Sequence, residues 1–87
     1  MHETAIVRDI VRRIAELAGA TNARRVVRAN IWLGAFSHLT ADHFREHFAV
    51  EARGTVAETA SLEIQISTDV TDPHAQQVRL DSLQIDE

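Results

Sequence analysis

The sequence has 87 residues, a formal net charge of −4 and 25% charged residues, which is the composition of a single globular domain. It contains no cysteine, which excludes disulfides, thiolate zinc sites and a cysteine nucleophile, and all 9 of its Lys and Arg residues are arginine. The acidic balance without a basic stripe argues against nucleic-acid binding, and no apolar run approaches the length of a membrane span. Because the amino terminus lacks an apolar leader, we expect a cytoplasmic protein.

The first predicted elements are a helix and a strand. Apolar residues recur with helical spacing from Thr4 to Ala18, in a stripe that includes Leu17, and Gly19 is a helix-ending residue. Alternation in the segment RRVVRANIWLGAF then predicts a strand with one buried face. The residues expected on that face are Val27, Ala29, Ile31 and Leu33.

A second helix is predicted after this strand. Thr40 is a favourable N-cap, and Leu39 before it and Phe44 after it fit a hydrophobic staple. Phe44 and Phe48 are four residues apart and so share the face that we expect to be buried. Gly54 is the expected C-terminal glycine.

Two more strands complete the prediction. SLEIQIS alternates, with Leu62, Ile64 and Ile66 expected to point inward. A polar turn follows, and VRLDSLQI then predicts a last strand. Apolar residues before and after the pair Asp81–Ser82 have opposite parity, which predicts a β-bulge or a bend at that pair.

The order helix, strand, helix, strand, strand predicts an α+β fold with two helices on one face of a three-stranded sheet, as one domain over residues 1–87. Trp32 has the parity of the opposite, open face. Open sheet edges and the lack of disulfides in so small a domain lead us to expect a homodimer, with strand exchange as one route to it.

His2 is the first residue that indicates a chemical role. A free terminal amine, a deprotonated backbone amide and the imidazole at position 2 place three nitrogens in one plane, and the amide of Glu3 or a side chain can supply a fourth ligand. Square-planar nitrogen ligation suits Ni(II) or Cu(II). The alternative is that His2 is an ordinary terminal residue without a role.

His43 and His47 are the other candidate ligands. Their spacing puts both imidazoles on one helix face, with His38 preceding the helix. Two histidines without a third fixed ligand are a weak metal motif and are more typical of a solvated surface. No nucleophile elbow, phosphate loop or catalytic set accompanies them, so we do not expect an enzyme.

Five segments occur in the order typical of one known family. They are MHE at 1–3, ARRV at 23–26, LGAFS at 33–37, ARGTVAE at 52–58 and LEI at 62–64. Together they resemble the HypA/HybF family of NiFe-hydrogenase maturation proteins. The resemblance implies a nickel metallochaperone that carries Ni(II) to the hydrogenase large subunit with a nickel-insertion GTPase, and it implies a metal site at Met1, His2 and Glu3.

The sequence departs from that family in two places. The family has a zinc domain with two CxxC pairs between its last two strands, whereas this chain has the cysteine-free segment 67–77, so no zinc is expected. We expect the last two strands to pair as neighbours, with a hairpin in place of the zinc domain. Thr40 also stands where many members have a carboxylate. The alternative function is therefore a family-derived adaptor or regulator that binds proteins and no longer delivers metal.

Overall fold

The computed structural model describes residues 3–86, which form two helices and three strands in the predicted order. The elements are α1 (Glu3–Ala20), β1 (Arg25–Leu33), α2 (Ala41–Glu51), β2 (Ser61–Ile66) and β3 (Val78–Asp86). This confirms the α+β fold predicted from the sequence. Within the described range, neither helix is long and apolar enough to cross a membrane.

The sheet has the order β2-β1-β3, so β1 is the central strand. β2 runs parallel to β1, and β3 runs antiparallel to it. The expected hairpin between β2 and β3 is therefore wrong, because β1 lies between them. Residues 67–77, which we call the crossover segment, pass over the end of β1 and join its two neighbours.

Backbone hydrogen bonds attach both ends of the crossover segment to the end of β1. The Ser67 N–H donates to the Leu33 carbonyl at 2.9 Å, and the Gly34 N–H donates to the Gln77 carbonyl at 2.9 Å. A Cβ atom at Gly34 would overlap the Ala75 carbonyl oxygen. Only glycine therefore allows the segment to lie this close to the strand.

The interior of the crossover segment is a series of short polar turns. Asp69 accepts hydrogen bonds from the Thr71 hydroxyl at 2.7 Å and from the Thr71 N–H at 2.9 Å. These bonds stabilise the charged carboxylate and lower the pKa of Asp69 below its ordinary value. Asp72 accepts from the His74 N–H at 2.8 Å. The segment thus satisfies its polar groups locally while remaining at the surface.

The predicted β-bulge in β3 is confirmed. Asn30 pairs with Ser82 and Ile31 pairs with Leu80, so Asp81 is the extra residue at a register shift. This bulge explains why the apolar residues of β3 change parity.

A second register shift, which the sequence analysis missed, lies near the start of β1. It falls between Val26 and Arg28, and Val27 is the residue between them. Val26 is 0% exposed, whereas Val27 is only half-buried. The expectation that Val27 belongs to the core is wrong, because the irregularity breaks the strict alternation and places Val26 on the core face with Ala29.

The core lies between the helices and one face of the sheet. The rings of Phe44 and Phe48 are stacked, with centroids 6.1 Å apart. Two predicted core residues are instead exposed: Leu17 at 42%, near the end of α1, and Ile66 at 54%, at the end of the edge strand β2. The buried cluster is Val7, Ile10, Val11, Ile14, Ala18, Val26, Ala29, Ile31, Leu33, Leu39, Phe44, Phe48, Ala52 and Ala57.

The opposite face of the sheet is polar. Trp32 lies there half-buried, with the guanidinium carbon of Arg79 5.6 Å from its ring centroid. Beside it, the Asn30 side-chain amide donates to the Ser82 hydroxyl at 2.7 Å. Trp32 therefore packs against a cation of the neighbouring strand, on the face that the sequence assigned to it.

Candidate metal centre

The predicted metal site comprises Met1, His2 and Glu3. Met1 and His2 lie outside the described residues, so the structure describes this site from Glu3 onward. Glu3 is the first residue of α1. Its main chain therefore lies at the amino-terminal end of α1 and directly follows Met1 and His2, the other two residues of the predicted site.

The backbone N–H of Glu3 has a special position because of where α1 begins. The first four N–H groups of an α-helix have no carbonyl partner within the helix. Since α1 starts at Glu3, its N–H is one of these four. A metal ion can replace that proton without breaking an intrahelical hydrogen bond, and the helix dipole favours the resulting negative charge.

The carboxylate of Glu3 contacts α2. Its Oε2 lies 3.2 Å from Nε2 of His47, within hydrogen-bonding distance, and its Oε1 lies 3.9 Å from Nδ1 of His43. A carboxylate offers only acceptors, so Nε2 of His47 carries the hydrogen in this bond. The structure thus joins Glu3 to the histidine pair, which the sequence analysis treated as a separate candidate.

The position of the histidine pair follows from the packing of α2. Phe44 and Phe48 are 0% and 4% exposed, so the aromatic side of α2 is fixed in the core. His47 precedes Phe48 and lies at the margin of that side, with 36% of its side chain exposed, while the His43 side chain is 58% exposed. Its shorter distance to Glu3, 3.2 Å against 3.9 Å, and its lower exposure make the His47–Glu3 bond the stronger of the two contacts.

The amino terminus of α2 is fixed by Thr40. Its hydroxyl oxygen accepts a hydrogen bond from the His43 N–H at 3.1 Å, and its backbone is extended with φ −95° and ψ 159°. This confirms the predicted N-cap. Thr40 therefore orients the first turn of α2, which carries His43.

Glu3 and the two histidines do not form a metal centre by themselves. Across residues 3–86, no three His, Asp or Glu side chains are gathered closely enough to hold a metal ion. The Glu3–His47 contact is a hydrogen bond between helices. Of the predicted site, the structure thus describes Glu3, whose main chain lies in the first turn of α1 and whose side chain is bonded to α2.

A shallow cleft lies beside the first turn of α1. It has a volume of about 500 Å³, and Glu3, Phe36 and His38 are among the residues that line it. Phe36 is 45% exposed, and His38 adopts the left-handed conformation with φ 63°. His38 therefore shares the cleft with Glu3, at the end of the molecule where the chelate is predicted.

Comparison with known proteins identifies the family. The family model described as "Hydrogenase/urease nickel incorporation, metallochaperone, hypA" matches residues 1–80. The chain belongs to the HypA family. This confirms the resemblance found in the sequence and assigns the chain to a family of nickel metallochaperones.

Curated HypA relatives match about three quarters of the chain. Hydrogenase maturation factor HypA of Xanthobacter autotrophicus is 34% identical over 64 residues, which are 74% of this chain and 57% of that protein. Hydrogenase maturation factor HypA 1 of Bradyrhizobium diazoefficiens is 39% identical over the same length and the same shares. The chain therefore spans little more than half the length of the curated relatives it matches.

Solved HypA structures have the same fold. The solution structure of the Ni metallochaperone HypA from Helicobacter pylori matches with a TM-score of 0.83 at 19% identity, covering 99% of this chain and 98% of that one. A second solution structure of HypA protein matches with a TM-score of 0.76 over 98% and 96% of the two chains. The HypA fold is thus present in a chain that has no cysteine.

Proposed function

We propose that this chain binds Ni(II) at its amino terminus and supplies it during NiFe-hydrogenase maturation. The terminal amine of Met1, the amide and imidazole of His2 and the amide of Glu3 are the proposed donors. The protein acts as a cytoplasmic accessory factor and not as an enzyme. The observation that carries this proposal is the family match, because it begins at residue 1 and includes all three residues of the site.

The geometry of Glu3 supports the proposed donor set. Its N–H lies in the first turn of α1, where no intrahelical acceptor exists, so the amide is available to a metal. Its carboxylate is bonded to His47 and is not needed as a fourth ligand. Four nitrogens in one plane suit Ni(II), while the cysteine-free sequence leaves no thiolate set for zinc.

The proposed partners follow from the names of the relatives and from the family. The relatives are hydrogenase maturation factors, so we propose the hydrogenase large subunit as the receiver of nickel and a nickel-insertion GTPase as a co-worker. We further propose that residues 1–87 act as one domain and form a homodimer. The polar face of the sheet, with Trp32 at its centre, is the surface we propose for self-association.

Nickel titration of the untagged protein by calorimetry tests the chelate. Tight binding should be lost in His2→Ala and in protein acetylated at its amino terminus. Because the sequence contains no lysine, an amine-directed acetylating reagent has only the terminal amine to modify. His74→Ala, which changes an exposed histidine of the crossover segment, is the matched control and should bind like the unsubstituted protein.

Binding that survives both changes contradicts the terminal chelate. The second candidate, an adaptor that no longer delivers metal, then becomes the better interpretation. The observation in its favour is Thr40, whose hydroxyl caps α2 and brings no charge to the site. An adaptor would still form a complex with purified hydrogenase large subunit or with the GTPase in size-exclusion chromatography without nickel.

A further inference from the structure

Residue 3 is held in place by a side-chain contact from the other helix. We infer that His47 is a positioning residue for the nickel chelate: by donating to the Glu3 carboxylate, it fixes residue 3, whose amide is the last donor of the set. This inference rests on the proposed function. It adds a residue 44 positions away along the chain, which no motif of the sequence connects with the amino terminus.

The hydrogen-bond donor, His47, lies on a tightly packed part of α2. His47 lies between Phe44 and Phe48 on α2, and these two rings are stacked and almost fully buried. Its Nε2 is 3.2 Å from Glu3 Oε2, and both side chains are about two-fifths exposed, at 36% and 38%. A donor on a packed helix, with partial shielding from water, can restrict the side chain that it bonds.

The first turn of α1 needs such a restraint if it is to hold a metal. Helix ends fray, because their first N–H groups lack partners within the helix. A square-planar chelate requires the amide of Glu3 in the plane of the preceding donors. Fixing the Glu3 carboxylate limits the rotation of residue 3 before metal arrives, so less ordering is left for the binding step.

His43 has a lesser part in this arrangement. Its Nδ1 is 3.9 Å from Glu3 Oε1, beyond hydrogen-bonding distance, and its side chain is the more exposed of the pair. Within the described residues, no three-residue metal group includes either histidine. The observed partner of His47 is the Glu3 carboxylate, so the inferred role of His47 is to position residue 3.

Three variants separate this role from general packing. His47→Phe keeps an aromatic ring and removes the hydrogen-bond donor, and His47→Gln keeps a side-chain donor. Arg8→Met keeps an unbranched side chain and removes a separate polar link between the helices, the 3.4 Å contact of Arg8 with Glu51. We expect His47→Phe to weaken nickel binding by about tenfold or more, since partners outside the ligand set commonly matter that much. His47→Gln should recover most of the affinity, and Arg8→Met should leave it unchanged.

The measurements are nickel affinity by calorimetry, the ligand-field absorption of square-planar Ni(II) at saturating nickel, and thermal unfolding of each variant. The planar absorption should decrease in His47→Phe, because water or the released carboxylate competes with the Glu3 amide. Equal losses of affinity in His47→Phe and Arg8→Met would assign the effect to helix packing and overturn the inference.

The proposed function and this inference can fail separately. If His2→Ala abolishes binding while His47→Phe binds and absorbs like the unsubstituted protein, the chelate stands and the positioning role is wrong. If His2→Ala changes nothing, there is no terminal chelate to position, and both are wrong. Binding that is lost only in His43→Ala and His47→Ala would make the histidines ligands and would overturn the positioning role.

Discussion

The two faces of the sheet are built from the same three strands, yet they are constrained very differently. On the covered face, Val26, Ala29 and Leu33 of β1 are each 0% exposed and lie against the helices. On the open face, Arg28 is exposed and Trp32 is half-buried against Arg79. The covered face needs only apolar side chains of suitable size, whereas the open face carries side chains with individual polar partners.

This difference explains why the chain shares its fold with HypA structures from which most of its residues differ. The fold matches a solved HypA structure with a TM-score of 0.83 although only 19% of the aligned residues are identical. An apolar core tolerates exchange among hydrophobic residues when volume and pattern are kept. Polar contacts such as the Glu3–His47 bond lie where the core does not decide the residue type.

Truncating the covered face should have the largest effect. Phe44→Ala removes a 0% exposed ring that stacks on Phe48, and we expect it to lower the free energy of unfolding by about 3–5 kcal/mol. Urea unfolding followed by circular dichroism measures this loss. Val50→Ala, at a 56% exposed position of the same helix, is the control and should change stability by less than about 0.5 kcal/mol. Equal effects would contradict the assigned burial of α2.

Gly34, directly after β1, provides a second test with a smaller expected effect. Gly34→Ala places a Cβ against the Ala75 carbonyl, so the crossover segment must shift, at a cost of about 1–3 kcal/mol. Gly19→Ala is the matched substitution, because its Cβ meets nothing within 4 Å and Gly19 lies in α1. That variant should be as stable as the unsubstituted protein or slightly more so. Thermal unfolding of both variants measures the difference. Full stability of Gly34→Ala would contradict the close approach of the Ala75 carbonyl to Gly34.

The smallest effect on folding is expected on the open face. Trp32→Ala should lower the free energy of unfolding by only about 1 kcal/mol beyond the loss of its cation–π contact with Arg79. The helical circular dichroism signal should persist. Its main effect should be on self-association, with light scattering giving a monomer. Arg53→Ala, at an exposed position outside the sheet, is the control and should leave the homodimer intact. A monomeric mass for the unsubstituted chain at high micromolar concentration contradicts the proposed homodimer.

Local patterns in the sequence were sufficient for most of the fold. Helical spacing located α1, the Thr40 cap located the start of α2, and opposite parities around Asp81 revealed the bulge in β3. Each of these signals lies within a few residues of the feature that it predicts. The bulge in β1 escaped because Val26 and Val27 are both apolar, so either parity fits the sequence.

Features that depend on distant residues were not predictable in this way. The order β2-β1-β3 follows from pairing between segments far apart, and local alternation does not distinguish it from a hairpin. The Glu3–His47 bond likewise joins residues separated by 44 positions. Sequence spacing identified Glu3 and the histidine pair as candidates, but only the packing of α1 on α2 brings them together.

The crossover segment also bears on how such a domain can change in length. Its two ends are hydrogen-bonded to adjacent residues, Ser67 to Leu33 at the end of β1 and Gln77 to Gly34 directly after it, so they lie close together at the surface. A longer insert can start and finish at these two anchors without altering strand pairing, and extending a surface loop adds little closure entropy. The end of β1 is therefore an insertion site. A whole module can be gained or lost there, or grafted by design, without a change in the sheet or in α1.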